Sequence, residues 1–202
     1  MTTGEGGLLA TDDDKIAETA MIYSLHGRNK GAWQRYSAKG SPHWEIIVPG
    51  YKYNMTDIQA SIGMHQLPKL DDFIYKREKY AKLYRDSFSK VEEIIIPESI
   101  GNIKHAWHLF IILLDIDKLT ITRDQFIDLL KEENIGTGIH FISLHMHEFY
   151  KKTFGYKKED YPNAAYVSDR IVSLPLYPGM TMKDLTDVIN AVKKILAYYK
   201  KK

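Results

Sequence analysis

The 202-residue chain contains no cysteine. Disulfides, thiolate nucleophiles and zinc-thiolate sites are therefore excluded, and the composition fits a reducing compartment. It also lacks any apolar run near the roughly 18 residues that cross a bilayer, and its first residues lack the basic and apolar regions of a signal peptide. A cytoplasmic, non-membrane protein is expected. Charge of one sign is missing as well. Lys+Arg 28 against Asp+Glu 26 leaves a formal net charge of +2, too close to neutral for a nucleic-acid or membrane surface driven by bulk electrostatics. What is present, 44% hydrophobic and 27% charged residues, is ordinary for a globular chain able to bury a core. Lys200 to Lys202 read as a solvated basic tail.

The chain opens on Thr2-Thr-Gly-Glu-Gly-Gly7, three glycines in four positions beside two hydroxyls. Such a turn suits an anion, and it equally suits a frayed end. Gly7 to Thr11 read as a short strand. Asp12 to Asp14 then cap a helix whose inner face is Ile16, Ala17, Ala20, Met21 and Ser24, ending near Gly27. From Arg28 to Pro49 the pattern is irregular, with Trp33, Tyr36, His43 and Trp44 in a long connection of the kind that reaches a partner or a ligand. Thr56-Asp-Ile-Gln59 is a capping box opening a helix to about Leu67, and Pro68 forces a break. Leu70, Phe73, Ile74, Arg77, Ala81, Tyr84 and Phe88 recur at helical spacing in the next helix.

Ile94-Ile-Ile-Pro97 marks a domain boundary, dividing the chain at 1–90 and 91–202. The second part reads as a small α+β unit. Strands are expected at His105 to Leu114, Gly136 to Phe141 and Ile171 to Leu174. Helices are expected after the Thr122-Arg-Asp-Gln125 box, at Asn163 to Asp169 and after the Thr181 cap, and Tyr150 to Asp160 as a polar, Lys-rich connection. The last helix presents Leu185, Val188, Ile189, Val192, Ile195, Leu196 and Tyr199 on one face.

Two constellations invite a chemical reading. His140, His145 and His147 are close in sequence, but no third ligand of suitable spacing joins them, so no metal site is expected. His140 alternates with Ile139 and Phe141 and either faces a site or is a satisfied polar residue. Lys52 and Asn54 precede a helix amino terminus, where phosphate binds readily, and a merely exposed turn lysine is the competing reading.

Five stretches together carry a resemblance: Thr2-Thr-Gly-Glu-Gly-Gly7, Pro49-Gly-Tyr-Lys-Tyr-Asn-Met-Thr-Asp-Ile-Gln-Ala60, His105-Ala-Trp-His-Leu-Phe110, Gly136-Thr-Gly-Ile-His-Phe141 and Ser173-Leu-Pro-Leu-Tyr-Pro178. The chain resembles the DegT-type sugar aminotransferases, pyridoxal-phosphate enzymes of fold type I, and most the branch acting on UDP-4-keto-pentose and related 4-keto sugars. The likeness covers this whole chain and the carboxy-terminal half of the family's length. It implies an α/β fold, α+β as a fragment, with an edge of the large domain and a small domain around a three-stranded antiparallel sheet.

The resemblance also implies a site. The family's cofactor lysine sits in Lys-Asn-x-Thr-Thr-Gly-Glu-Gly-Gly, and Met1 occupies the x, which puts the lysine two positions before the first residue. Thr2, Thr3 and Glu5 border it. Lys52 and Asn54 match the segment that, in family dimers, reaches the phosphate side of the neighbouring subunit's pyridoxal phosphate, although many members have Asn at position 52. His140 matches a histidine near the lysine and the substrate, a polar or proton-transfer partner. Ile142-Ser-Leu-His145 departs from a commoner Ile-Pro-Leu-His. The implied reaction moves an amino group, usually from glutamate, to a nucleotide-linked 4-keto sugar for surface polysaccharide or lipid synthesis. The expected assembly is a dimer. Without the lysine the chain alone is expected to be inactive, a truncated form, half of a split enzyme with a separately encoded amino-terminal half, or a non-catalytic dimerisation or nucleotide-sugar-binding module. Leu70, Phe73, Ile74 and Tyr84 are expected to need a cover.

Overall fold

A computed structural model describes residues 1–29, 44–98 and 101–201. Trp33, Tyr36 and His43 of the long connection lie outside the described residues. The chain forms two compact units, Met1–Leu70 and Asp71–Lys202. The boundary read from composition, at 90/91, falls inside the second unit. The helix before it is held by the later residues: its Tyr80, Ala81, Tyr84 and Phe88 are buried in one core with Phe110, Ile112 and Leu114.

In the first unit, α1 (Asp14–Ser24) starts as its acidic cap dictates. The Asp13 carboxylate accepts from the amides of Lys15 at 2.8 Å and Ile16 at 3.1 Å. Its expected inner face is not covered, however. α1 has no buried residue, and Ile16 and Met21 are exposed. At its end His26 and Gly27 take positive φ, and the chain pairs with residues 47–53: His26 N–H donates to Tyr51 O (2.7 Å), Tyr53 N–H to Ser24 O (2.8 Å) and Ile47 N–H to Gly27 O (2.9 Å). α2 (Asp57–Gln66) carries the full Thr56/Gln59 capping box. Pro68 does not separate two elements widely; it lies in a single 3-10 turn, Leu67–Lys69, that runs into α3 (Leu70–Phe88). Gly7 to Thr11 form no strand, because no described segment lies beside them to complete a ladder, and Leu8 is 94% exposed.

The second unit is built on an antiparallel sheet in the order β1-β2-β3: β1 (Ile94–Ile95), β2 (Phe110–Leu114) and β3 (Ile171–Leu174). The register sets Ile94 opposite Leu114, Ile111 opposite Ser173 and Leu113 opposite Ile171. Three strands are thus present as expected, with one exchanged. Ile94 and Ile95, read as a boundary, supply β1. Gly136 to Phe141, read as a strand, contribute one bridge, Gly138 to Ser173. The exchange is physical: Phe110, Ile112 and Leu114 alternate inward along β2, and Ile94 closes the same core, whereas 136–141 carries two glycines and little to bury.

Helices cover the sheet. α4 (Arg123–Glu132) opens on its capping box and buries Phe126 and Leu130. α5 (Glu148–Phe154) occupies the segment read as a polar connection and ends at Gly155, φ 70°. Its Lys152 and Glu148 pair one turn apart, a helix signal that lysine density masked. α6 (Pro162–Arg170) starts on a proline, and α7 (Met182–Tyr199) lies against α4. Five of the seven residues expected on α7's inner face are buried; Ile189 and Tyr199 are half-buried. Arg77 Nη1 donates to the carbonyls of Trp107, His108 and Leu176, at 3.0, 2.9 and 3.1 Å, pinning the approaches to β2 and the exit of β3 to α3.

Of the basic end, Lys200 and Lys201 are tied to the unit. Lys201 N–H donates to Lys118 O at 2.8 Å, and Lys200 Nζ stands 2.7 Å from the buried Glu93 carboxylate. Burial pushes that carboxyl up. The Lys200 ammonium beside it, a backbone hydrogen bond and the charge of Lys118 outweigh burial and hold it below its ordinary value. A carboxyl depressed by folding adds stability that is present above its unfolded value, about 4.3, and is lost as pH falls through the folded value. Lys200→Met leaves burial in command. Its urea midpoint is expected below that of the wild type at pH 7, with the gap closing toward pH 3; equal midpoints at pH 7 would contradict the pairing.

Candidate functional site

The glycine turn and the Lys52 segment meet within the first unit. Gly4 takes φ 80°, Gly4 N–H donates to Thr2 Oγ1 at 3.2 Å, and Thr3 Oγ1 donates to Glu5 O at 2.9 Å. Gln59 Nε2 donates to the same Glu5 carbonyl at 3.0 Å, so the residue that completes the α2 cap also ties down the turn. Gly6 admits the approach: a Cβ there would stand 2.4 Å from Thr3 Oγ1 and 3.1 Å from Met55 Cε. The turn borders an open pocket of about 430 Å³ lined by residues 1–8 and Met55.

Lys52 is held by α1. It bridges Leu25, flanked by the Tyr51 and Tyr53 bonds to Tyr23 O and Ser24 O. Its ammonium is hydrogen-bonded to Asn54 Oδ1, and both residues are exposed. An ammonium has three N–H groups and an amide nitrogen two, so the pair keeps outward donors after this bond, a set that matches a phosphate. The helix end adds less than expected. Thr56 N–H is taken by Gln59 Oε1, Gln59 N–H by Thr56 Oγ1, and Asp57 puts a negative charge in the first turn.

His140 belongs to the second unit. Its Nδ1 lies 2.9 Å from Ser173 Oγ, its ring meets Phe141 edge-on at 4.9 Å, and Phe141 is exposed. Thr2, Thr3, Lys52 and Asn54 are thus gathered in one unit and His140 stands in the other. The neighbouring histidines are engaged separately. His145 is buried against Tyr161 at 4.9 Å, and His147 Nε2 lies 3.3 Å from Ile142 O. Among the described residues no group of three His, Asp or Glu side chains converges on a metal-sized point, and no helix is long and apolar enough to cross a membrane.

Sequence reasoning missed Ser173 and Gln59. Ser173 had a signal, as the one polar side chain in the buried run Ile171-Val-Ser-Leu174. Gln59 looked like a cap and nothing more; its second bond, 54 residues away in sequence, leaves no local trace.

The model of the DegT/DnrJ/EryC1/StrS aminotransferase family matches residues 1–193. The chain is 55% identical over 197 residues to the uncharacterized protein MJ1066 of Methanocaldococcus jannaschii, covering 98% of this chain and 51% of that protein. It is 47% identical to the spore coat polysaccharide biosynthesis protein SpsC of Bacillus subtilis, covering 97% of this chain and 51% of that one. The chain therefore spans about half the length of these relatives. Among solved structures, the putative sugar aminotransferase Spr1654 of Streptococcus pneumoniae in its PMP-form superposes with a TM-score of 0.79 at 24% identity, over 93% of this chain and 46% of that one. The same protein is known in a PLP-form, with a TM-score of 0.78. The sheet of three antiparallel strands and the helices around it thus follow a known aminotransferase fold, and the chain belongs to the DegT/DnrJ/EryC1/StrS aminotransferase family.

Proposed function

We propose that this chain is the carboxy-terminal part of a cytoplasmic pyridoxal-phosphate-dependent aminotransferase that moves an amino group from glutamate to a nucleotide-linked 4-keto sugar, of the UDP-4-keto-pentose kind, in surface polysaccharide or lipid synthesis. The observation that carries the reading is the match of 97% of the chain to a spore coat polysaccharide biosynthesis protein, together with the ordered motif set. When bound, pyridoxal phosphate supplies the electron sink for amino transfer. The residues present fit its phosphate: Lys52 and Asn54 offer cationic and amide donors on a segment fixed by α1, the segment that the resemblance assigns to the phosphate side of a second copy's cofactor. Thr2 and Thr3 border the reacting centre, and His140 holds or moves a proton beside the substrate.

Exposed apolar side chains support association with a second copy and with an amino-terminal half. Tyr84 needs no cover, being fully buried, and Phe73 and Ile74 are half-buried. The exposed apolar side chains concentrate instead in the first unit, at Leu8, Met21, Tyr53, Ile58 and Met64. The test is complementation. Purified alone with pyridoxal phosphate, glutamate and a UDP-4-keto sugar, the chain is expected to give no borohydride-sensitive absorbance and no 2-oxoglutarate, and to sediment as larger than a monomer. Co-expressed with the amino-terminal half of a family member, it is expected to gain turnover. Turnover by the chain alone would overturn its inactivity, and failure of every complementing half would overturn the assigned reaction.

A further inference from the structure

Ser173 is 4% exposed, so a hydroxyl proton left there without an acceptor would be costly, and donation is the favoured role. Its backbone groups are committed to Gly138, Ser173 N–H to Gly138 O at 2.8 Å and Gly138 N–H to Ser173 O at 3.1 Å. The one side-chain partner of Oγ among the described residues is His140 Nδ1 at 2.9 Å. A ring nitrogen that accepts a hydroxyl proton bears none itself, so the single proton of neutral imidazole stands on Nε2. Nε2 has no protein hydrogen-bond partner among the described residues.

Gly138 makes the contact reachable. A Cβ at 138 would stand 2.6 Å from His140 Cε1 and 3.3 Å from Nδ1, so the ring occupies space that any other residue would fill. From these contacts we infer that Ser173, with Gly138, is a positioning residue that fixes neutral His140 as the Nε2–H tautomer, so that His140 meets its ligand as a hydrogen-bond donor to an anionic oxygen rather than as a base. The ligand chemistry is an acceptor oxygen, carboxylate or phosphate. The inference rests on the reading of His140 as substrate-facing.

The experiment keeps the two apart. In the 202-residue chain labelled with ¹⁵N, long-range proton–nitrogen correlations of the His140 ring, recorded across a pH series, report the protonation and tautomer directly. A single Nε2–H form is expected in the wild type. Ser173→Ala is expected to give an exchanging mixture of tautomers, and Ser173→Thr, which keeps the hydroxyl, to restore the single form. Gly138→Ala displaces a ring rather than backbone and is expected to lose the fixed tautomer with the fold intact by circular dichroism, which covers the case in which Ser173→Ala does not fold. An Nδ1–H form in the wild type, or an unchanged spectrum in Ser173→Ala and Gly138→Ala, overturns the inference. Glutamate and inorganic phosphate are then added separately. A shift of Nε2 with one of them identifies the acceptor as carboxylate or phosphate and supports the donor role; no shift with either sinks the substrate-facing reading while the tautomer result stands by itself.

Discussion

Replacing Tyr84 by alanine is expected to destabilise the second unit by about 3–5 kcal/mol, the range for removing a large buried aromatic from a close-packed core. Tyr84 is fully buried in α3, its ring 4.7 Å from Phe110 and 5.8 Å from Phe88, and its hydroxyl donates to Pro175 O at 2.9 Å. Burial, and with it the charge of Tyr177, pushes that hydroxyl's pKa up, so it remains a donor throughout the working pH range. Two losses are separable. Tyr84→Phe keeps the ring and deprives the Pro175 carbonyl of its donor, a change of about 1–2 kcal/mol. Urea unfolding with an unchanged slope reads both. Equal midpoints for Tyr84→Ala and Tyr84→Phe would mean that the ring contributes nothing, and the description of this core would be wrong. The effect reaches the site because Pro175 continues directly from β3, which presents Ser173 to His140.

Gly27→Ala is expected to release the pairing that holds Lys52. Gly27 sits at φ 71°, and a Cβ there would lie 1.8 Å from Val48 O and 2.8 Å from Val48 C, a collision of backbone with backbone that no side-chain rotation relieves. Gly50 faces it with the reciprocal constraint, its added Cβ 2.1 Å from Gly27 N. Left-handed backbone costs a non-glycine residue about 1–2 kcal/mol before any overlap, and the overlap adds to it. The amides of His26, Ile47, Tyr51 and Tyr53, which donate across this junction, are expected to lose hydrogen-exchange protection, while those of β2 and β3 keep theirs. Retained protection at all four would show that the junction tolerates a side chain and that Lys52 is positioned by something else.

Several elements were legible in sequence because their causes are local. The capping boxes at Thr56, Thr122 and Thr181 each form as spacing predicts, since N-cap and N3 lie one turn apart in any helix that starts there. α7 advertises its buried face by period, and Ile171 to Leu174 form a strand as their composition suggests. The failures are those of partners. Gly136 to Phe141 alternate like a strand and Gly7 to Thr11 read as one, yet a strand exists only where another segment takes its hydrogen bonds. Ile94 and Ile95 looked like punctuation and became β1 because Leu113 and Leu114 lay opposite. α5 was hidden by lysines that a short exposed helix accommodates.

By itself, then, the sequence determined what depends on neighbours within a turn: helix starts, the glycines that permit positive φ or close approach, the absence of thiol chemistry, and the ordered motifs that carry the family. Only the tertiary structure decided which segments pair, where the two units divide, that Gln59 anchors the glycine turn, and that the lone hydroxyl of β3 stands against His140 Nδ1. The reason is distance along the chain. Gln59 and Glu5 are 54 residues apart and His140 and Ser173 are 33, and contacts over such separations follow from how whole elements bury their apolar faces, which no local pattern records.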